Sequence, residues 1–123
     1  TAMDARQISG FTGGVWGLNL PPGGQGVVRY EFSAREGVFD SARFTQFVTG
    51  NRGRVLVQVS TQSADGPWQI VADGPTVTTP LALTPLVQGQ ARFWIQVTLS
   101  NELGEDEVCG FDLMRLEGEV KGE

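Results

Sequence analysis

The segment Arg54 to Ala72, Arg-Val-Leu-Val-Gln-Val-Ser-Thr-Gln-Ser-Ala-Asp-Gly-Pro-Trp-Gln-Ile-Val-Ala, constrains the fold more than any other part of the chain. Val55, Val57 and Val59 alternate with Leu56, Gln58 and Ser60, and a period of two puts the valines on one face of a pleated strand. Ser63 to Pro67 interrupts the pattern with turn chemistry. Asp65 is able to bond its own backbone, Gly66 is free to take positive φ, and Pro67 is unable to continue a ladder. Trp68, Ile70 and Ala72 then resume the alternation, so the stretch reads as strand, turn, strand. Arg92 to Ser100 carries the same signal more cleanly: Phe93, Ile95, Val97 and Leu99 alternate with Trp94, Gln96, Thr98 and Ser100.

Other runs behave alike. Trp16, Leu18 and Leu20 share a face in Val15 to Leu20, and Pro21-Pro22-Gly23-Gly24 ends that strand. In Val27 to Ser33, Val28, Tyr30 and Phe32 oppose Arg29, Glu31 and Ser33, which makes a strand with one wet side. Asp40 to Thr49 has apolar groups on both faces and leaves its inward side ambiguous. Thr49 to Gly53 is a turn, and Val77 to Leu83 a weaker strand that Pro80 places at an edge. Thr84 to Val87 reads as one helical turn, with Thr84 capping and Pro85 at the first helical position. In Val108 to Val120, Leu116 is out of phase with Phe111 and Leu113, which predicts a bulge near Met114-Arg115 or burial on both faces. About eight strands at roughly ten-residue spacing predict an all-β antiparallel sandwich.

At 123 residues the chain is long enough for a single core, and residues 1–123 read as one domain, with Thr1-Ala2-Met3 resembling an expression remnant. No apolar run approaches the ~20 residues of a membrane-spanning helix. Nine basic against fourteen acidic residues give a net charge of −5. Nucleic acid is disfavoured as a partner, because its binding needs clustered cations and Arg52 with Arg54 are too few. Histidine is absent and Cys109 is the single cysteine. Ser-His-Asp and Cys-His catalysis, His-ligated metals and Cys-rich metal sites are thereby excluded. Cys109 reads as a buried thiol. Two carboxylates could hydrolyse a glycoside, but no pair can be placed face to face, so the chain reads as a non-catalytic domain.

Three segments together resemble the galactose-binding-like jelly rolls, the group that contains discoidin-type domains and many carbohydrate-binding modules. The first is Val55 to Thr61 followed by Asp65-Gly66-Pro67-Trp68. The second is Leu83-Thr-Pro-Leu-Val-Gln-Gly-Gln-Ala-Arg-Phe-Trp-Ile-Gln-Val, and the third Cys109-Gly-Phe-Asp-Leu-Met-Arg-Leu-Glu-Gly. The chain departs from discoidin domains in having no internal disulfide. The resemblance implies a jelly-roll β-sandwich that binds a polysaccharide or glycan as an accessory module. Its setting would be a larger secreted bacterial protein, with a catalytic domain attached in the parent chain. A structural or protein-interaction sandwich with no glycan ligand is the alternative.

A sugar site needs an apolar platform for the C–H face of a pyranose, with amides or charges nearby for its hydroxyls. Trp94 and Gln96 stand outward if Phe93, Ile95 and Val97 are core, and Gln58 and Arg54 stand outward on the other strong strand. Those four would line one concave surface if the strands are neighbours. Otherwise a loop covers the face and Trp94 forms a second small core. Trp68, after Pro67 at a turn, either caps the sandwich end or presents its ring to ligand at a loop tip. Trp16 reads as core. Glu102, Glu105, Asp106 and Glu107 supply the hard oxygens that calcium prefers. The resemblance implies a structural Ca2+, for which Glu102, Glu105, Asp106 and Asp112 are the candidate ligands and Asp40 a further one.

Overall fold

The structure is a computed structural model that describes residues 3–9, 16–20, 22–34, 37–49, 54–74, 80–102, 104–105 and 107–121. For 3–9, 16–20, 49 and 107–114 the description is of backbone placement and strand pairing. The strands are β1 (Met3–Ser9), β2 (Trp16–Leu20), β3 (Gln25–Ala34), β4 (Val38–Thr49), β5 (Arg54–Ser60), β6 (Gln69–Gly74), β7 (Leu81–Ala82), β8 (Arg92–Ser100) and β9 (Glu107–Lys121), with one helical turn, α1 (Thr84–Val87), before β8. Two antiparallel sheets have the orders β1-β3-β8-β5-β6 and β2-β9-β4-β7.

From β2 onward this is the connectivity of a jelly roll, eight strands in two four-stranded sheets, and β1 adds a ninth strand at the edge beside β3. The expected count of about eight is thus right for the sandwich proper. The extra strand begins at Met3. Pro80 does precede an edge strand, because β7 lies at the end of its sheet, but β7 spans only Leu81–Ala82 and Val77 lies outside the described residues, as does the turn at 50–53. The side chains of Trp16 and Cys109 also lie outside them.

The core forms where the sequence alternates most cleanly. Val55, Val57 and Val59 from β5 meet Phe93, Ile95, Val97 and Leu99 from β8 and Val28, Tyr30 and Phe32 from β3, all buried. Each such side chain contributes about 1.5–3 kcal/mol through burial. The ambiguous strand β4 turns Ala42, Phe44 and Gln46 inward, and Phe39 packs edge-on to Phe93 with centroids 4.8 Å apart. Gln46 is tolerated there because the Tyr30 hydroxyl donates to its Oε1 at 2.7 Å while its Nε2 donates to the Phe47 carbonyl at 3.1 Å.

Bulges decide which face each residue takes. In β9 one extra residue falls between Phe111, opposite Val48, and Met114, opposite Gln46, slightly before the expected Met114-Arg115. A second irregularity leaves Asp40 unpaired between Phe39 and Ser41, and there β9 comes so close that a Cβ on Gly118 would stand 2.2 Å from the Ser41 carbonyl oxygen. In β6, Ala72 opposes Val57 but Ile70 opposes Gln58, so Val71 is the extra residue. Trp68, Ile70 and Ala72 therefore do not share one face as their spacing predicts. Ala72 packs on the core, whereas Ile70 points out and is 58% exposed.

The α1 turn occurs as expected, but its cap is Leu83, with Pro85 one position further in. Thr84 Oγ1 instead accepts the Ala42 N–H at 3.1 Å, and the Leu83 N–H donates to the Ala42 carbonyl at 2.9 Å. A neighbouring strand with unpaired groups outcompetes the helix for this hydroxyl.

Candidate functional site

The outer face of the five-stranded sheet is read from its register. One row across the sheet is Arg29 on β3, Gln96 on β8, Gln58 on β5 and Ile70 on β6; the next is Glu31, Trp94 and Ser60. Trp94, Gln96 and Gln58 therefore stand together on one outward face, as their alternation predicts. In the first row the Arg29 Nε donates to Gln96 Oε1, and Gln96 Nε2 donates to Gln58 Oε1 at 3.0 Å. A guanidinium can only donate, which fixes the direction of both amides.

In the second row Trp94 departs from its expected role as an open platform. It is only 8% exposed, and its indole N–H donates to Glu31 Oε2 at 3.0 Å. Ser60 beside it is buried as well. A ring so enclosed has no free face for a pyranose, and its neighbours in the row are the polar Glu31 and Ser60.

Arg54 is on the same face but opposite Ser100, four residues from Gln58 along β5, or about 13 Å. Its Nε pairs with Asp73 at 2.7 Å and with Glu102 at 3.7 Å. The structure thus separates Arg54 from the Gln58 and Gln96 pair and gives it acidic partners.

Trp68 comes to the outer face from the other direction. The 61–68 segment leaves β5 at Ser60, whose Oγ accepts the N–H groups of Gln62 and Ser63, both at 3.4 Å. Ser63 closes the next turn: its carbonyl accepts the Gly66 N–H at 3.2 Å, while its Oγ takes the Asp65 N–H and donates to the Gly66 carbonyl. The serines do the work expected of Asp65. Gly66 takes φ +104, and a Cβ there would lie 2.9 Å from Trp68 Cδ1. The following Gly66-Pro67 peptide is cis. Trp68 is half-buried, with the Arg29 guanidinium carbon 5.7 Å from its ring centroid.

Trp68 also walls a pocket of about 350 Å3 at the end of the sandwich. Pro67, Trp68 and Leu86 give it apolar surface over Val59. Thr61, Gln62 and Gln69 bring a hydroxyl and two amides to the same space. Sequence reasoning found Trp68 but neither Arg29 nor the pocket. The bulge at Val71 and the eight-residue connection set their positions, and no local periodicity encodes either.

Of the residues expected to hold calcium, Glu102 faces Arg54, and the Glu105 carbonyl accepts Asn101 Nδ2 at 2.9 Å. Asp106 and the side chain of Asp112 lie outside the described residues. Asp40 Oδ1 accepts Gln88 Nε2 at 3.4 Å. Among the described residues no three acidic or sulfur-bearing groups stand close enough to hold an ion.

No family description matches the chain, and no curated protein sequence does. Among solved structures the chain is similar to a family 61 carbohydrate-binding module in complex with beta-1,4-galactotriose, at 17% identity and a TM-score of 0.47, covering 94% of this chain and 88% of that one. It is also similar to a mutant of a family 29 carbohydrate-binding module, at 17% identity and a TM-score of 0.41, covering 95% and 93% of the two chains.

Proposed function

We propose that this domain binds a glycan without converting it, in the pocket beside Trp68 at the loop end of the sandwich. The observation that carries the reading is Trp68 itself. Its indole is held on a turn fixed by Ser60 and Ser63 and stands among Pro67, Leu86 and the polar groups of Thr61, Gln62 and Gln69. A pyranose offers the matching surfaces, a C–H face for the ring and hydroxyls for the amides. The pocket lies at the lower end of the ~300–1,000 Å3 usual for small-molecule sites. The accessory role follows as part of the same proposal: a secreted parent protein would use the domain to keep an attached catalytic domain near its polysaccharide, raising effective concentration.

Titration calorimetry against oligosaccharides from plant, algal and host polysaccharides tests the reading. Trp68→Ala is expected to weaken the best ligand at least tenfold, about 1.4 kcal/mol, with the fold intact. Absence of binding to every glycan would sink it.

One observation favours the interaction-module alternative: β6 is an edge strand with Ile70 58% exposed. The Val71 bulge breaks the ladder of that edge, however, as natural edges do to avoid pairing. Sedimentation of the intact domain distinguishes the two, since pairing along β6 requires a concentration-dependent increase in mass.

A further inference from the structure

Among the described residues Arg29 has no ion-pair partner. It is part-buried on the outer face of β3, and its contacts among the described residues are the Nε bond to Gln96 and the stacking over Trp68. Neither partner is acidic. Glu31, two residues along the same face, accepts the Trp94 indole N–H. A charge drawn partly out of water is favoured by an anionic partner, of which a chain with net charge −5 has a surplus. The direction of the hydrogen bonds adds to this. Because Gln96 turns its oxygen to Arg29 and its amide nitrogen to Gln58 Oε1, the row ends in the terminal amino groups of Arg29 on one side and Gln58 Nε2 on the other. Both ends are donors.

We propose that Arg29 takes an anionic substituent, a carboxylate or a sulfate, on the glycan held at Trp68, so that the ligand class is an acidic oligosaccharide. This rests on the glycan-binding reading above. The guanidinium fork matches either oxyanion with two parallel N–H bonds, and the Trp68 ring and Gln96 hold Arg29 at one end of the row before ligand arrives.

The test is calorimetry on the whole domain with two matched pairs: oligogalacturonate against its methyl ester, and a sulfated galactan oligosaccharide against its desulfated form. The charged member of one pair is expected to bind at least tenfold more tightly, and that pair identifies the oxyanion. The preference should shrink as salt rises beyond about 0.1 M, where charges ~10 Å apart are screened. Arg29→Met keeps a side chain that packs on an indole, and it should bring the charged-to-uncharged ratio to about one at an unaltered melting temperature. Equal affinities within both pairs overturn the proposal while leaving glycan binding intact. So does an Arg29→Met variant that weakens both members equally, because Arg29 would then only position Trp68. Absence of binding to all four probes and to neutral glycans removes the glycan reading, and this proposal with it.

Discussion

Strand β3 carries polar side chains on both faces, Tyr30 inward and Arg29 outward, and the two faces complete them differently. Inside the sandwich, Tyr30 donates to Gln46 and Gln46 donates to the Phe47 carbonyl, so the chain of bonds closes within the protein. Outside, Arg29, Gln96 and Gln58 form a row whose two ends point donors away from one another, with Trp68 laid against one end. Burial explains the contrast. A polar group enclosed between sheets must find its partner in the fold, because leaving it unmatched costs about 1–3 kcal/mol. A group on the outer face can wait for water or a ligand.

Trp94 tests where that line runs, because it lies on the outer face but is enclosed like an inner residue. Replacing it with alanine removes a large buried ring and the donor to Glu31, and is expected to cost about 3–5 kcal/mol of stability in urea unfolding. Glycan affinity per folded molecule should hold. A loss under about 1 kcal/mol would mean that the Trp94 row is open in solution and would restore the sheet face as a binding platform.

The inner face makes a prediction in pH. Burial pushes the Tyr30 hydroxyl up from its usual 10.0 to about 12. Below pH 10 both folded and unfolded chains hold that proton, so its contribution is fully present. As pH rises from 10 to 12 the unfolded chain ionises first, and stability should fall by roughly 2–3 kcal/mol. Tyr30 is the only tyrosine, so its absorbance titration reports it directly. A midpoint near 10 in the folded protein, or an alkaline loss unchanged in Tyr30→Phe, would break the claim that this pair is closed to solvent.

How far the sequence exposes this contrast depends on regularity. β5 and β8 alternate without interruption, and their inner residues, their shared sheet and the outward row of Gln58 and Gln96 are all legible from spacing. Alternation states a face, however, and not an exposure, which is why Trp94 and Gln96 look equivalent in sequence and differ in the fold. β6 fails differently: one extra residue at Val71 sends Ile70 and Ala72 to opposite sides. The Arg29 contact with Trp68 joins residues 39 positions apart across three strands and a loop, and nothing local announces it.

Gly66 ties the outer site to backbone geometry. Alanine there meets both a strained φ of +104 and the Trp68 ring 2.9 Å from its Cβ. The expected cost is about 1–2 kcal/mol. Part of it should appear as a displaced indole, read as a changed Trp68 signal in heteronuclear NMR with reduced glycan affinity. A variant that loses stability but keeps both the signal and the affinity would show that the turn and the site are independent.

The smallest effect is expected at Arg54, which shares the outer face but stands about 13 Å from Gln58 along β5. Its guanidinium is half-exposed between Asp73 and Glu102, and such surface pairs contribute below about 1 kcal/mol. Arg54→Ala should therefore change stability by less than that, increasingly so in salt, and leave glycan affinity where it was. The comparison with Arg29 is direct, since both arginines lie on one face of one sheet, one paired with acids and the other with an indole and an amide. If Arg54→Ala weakens an acidic ligand as much as Arg29→Met does, the binding surface extends along β5 to its far end, and the division between a satisfied charge and a waiting one fails.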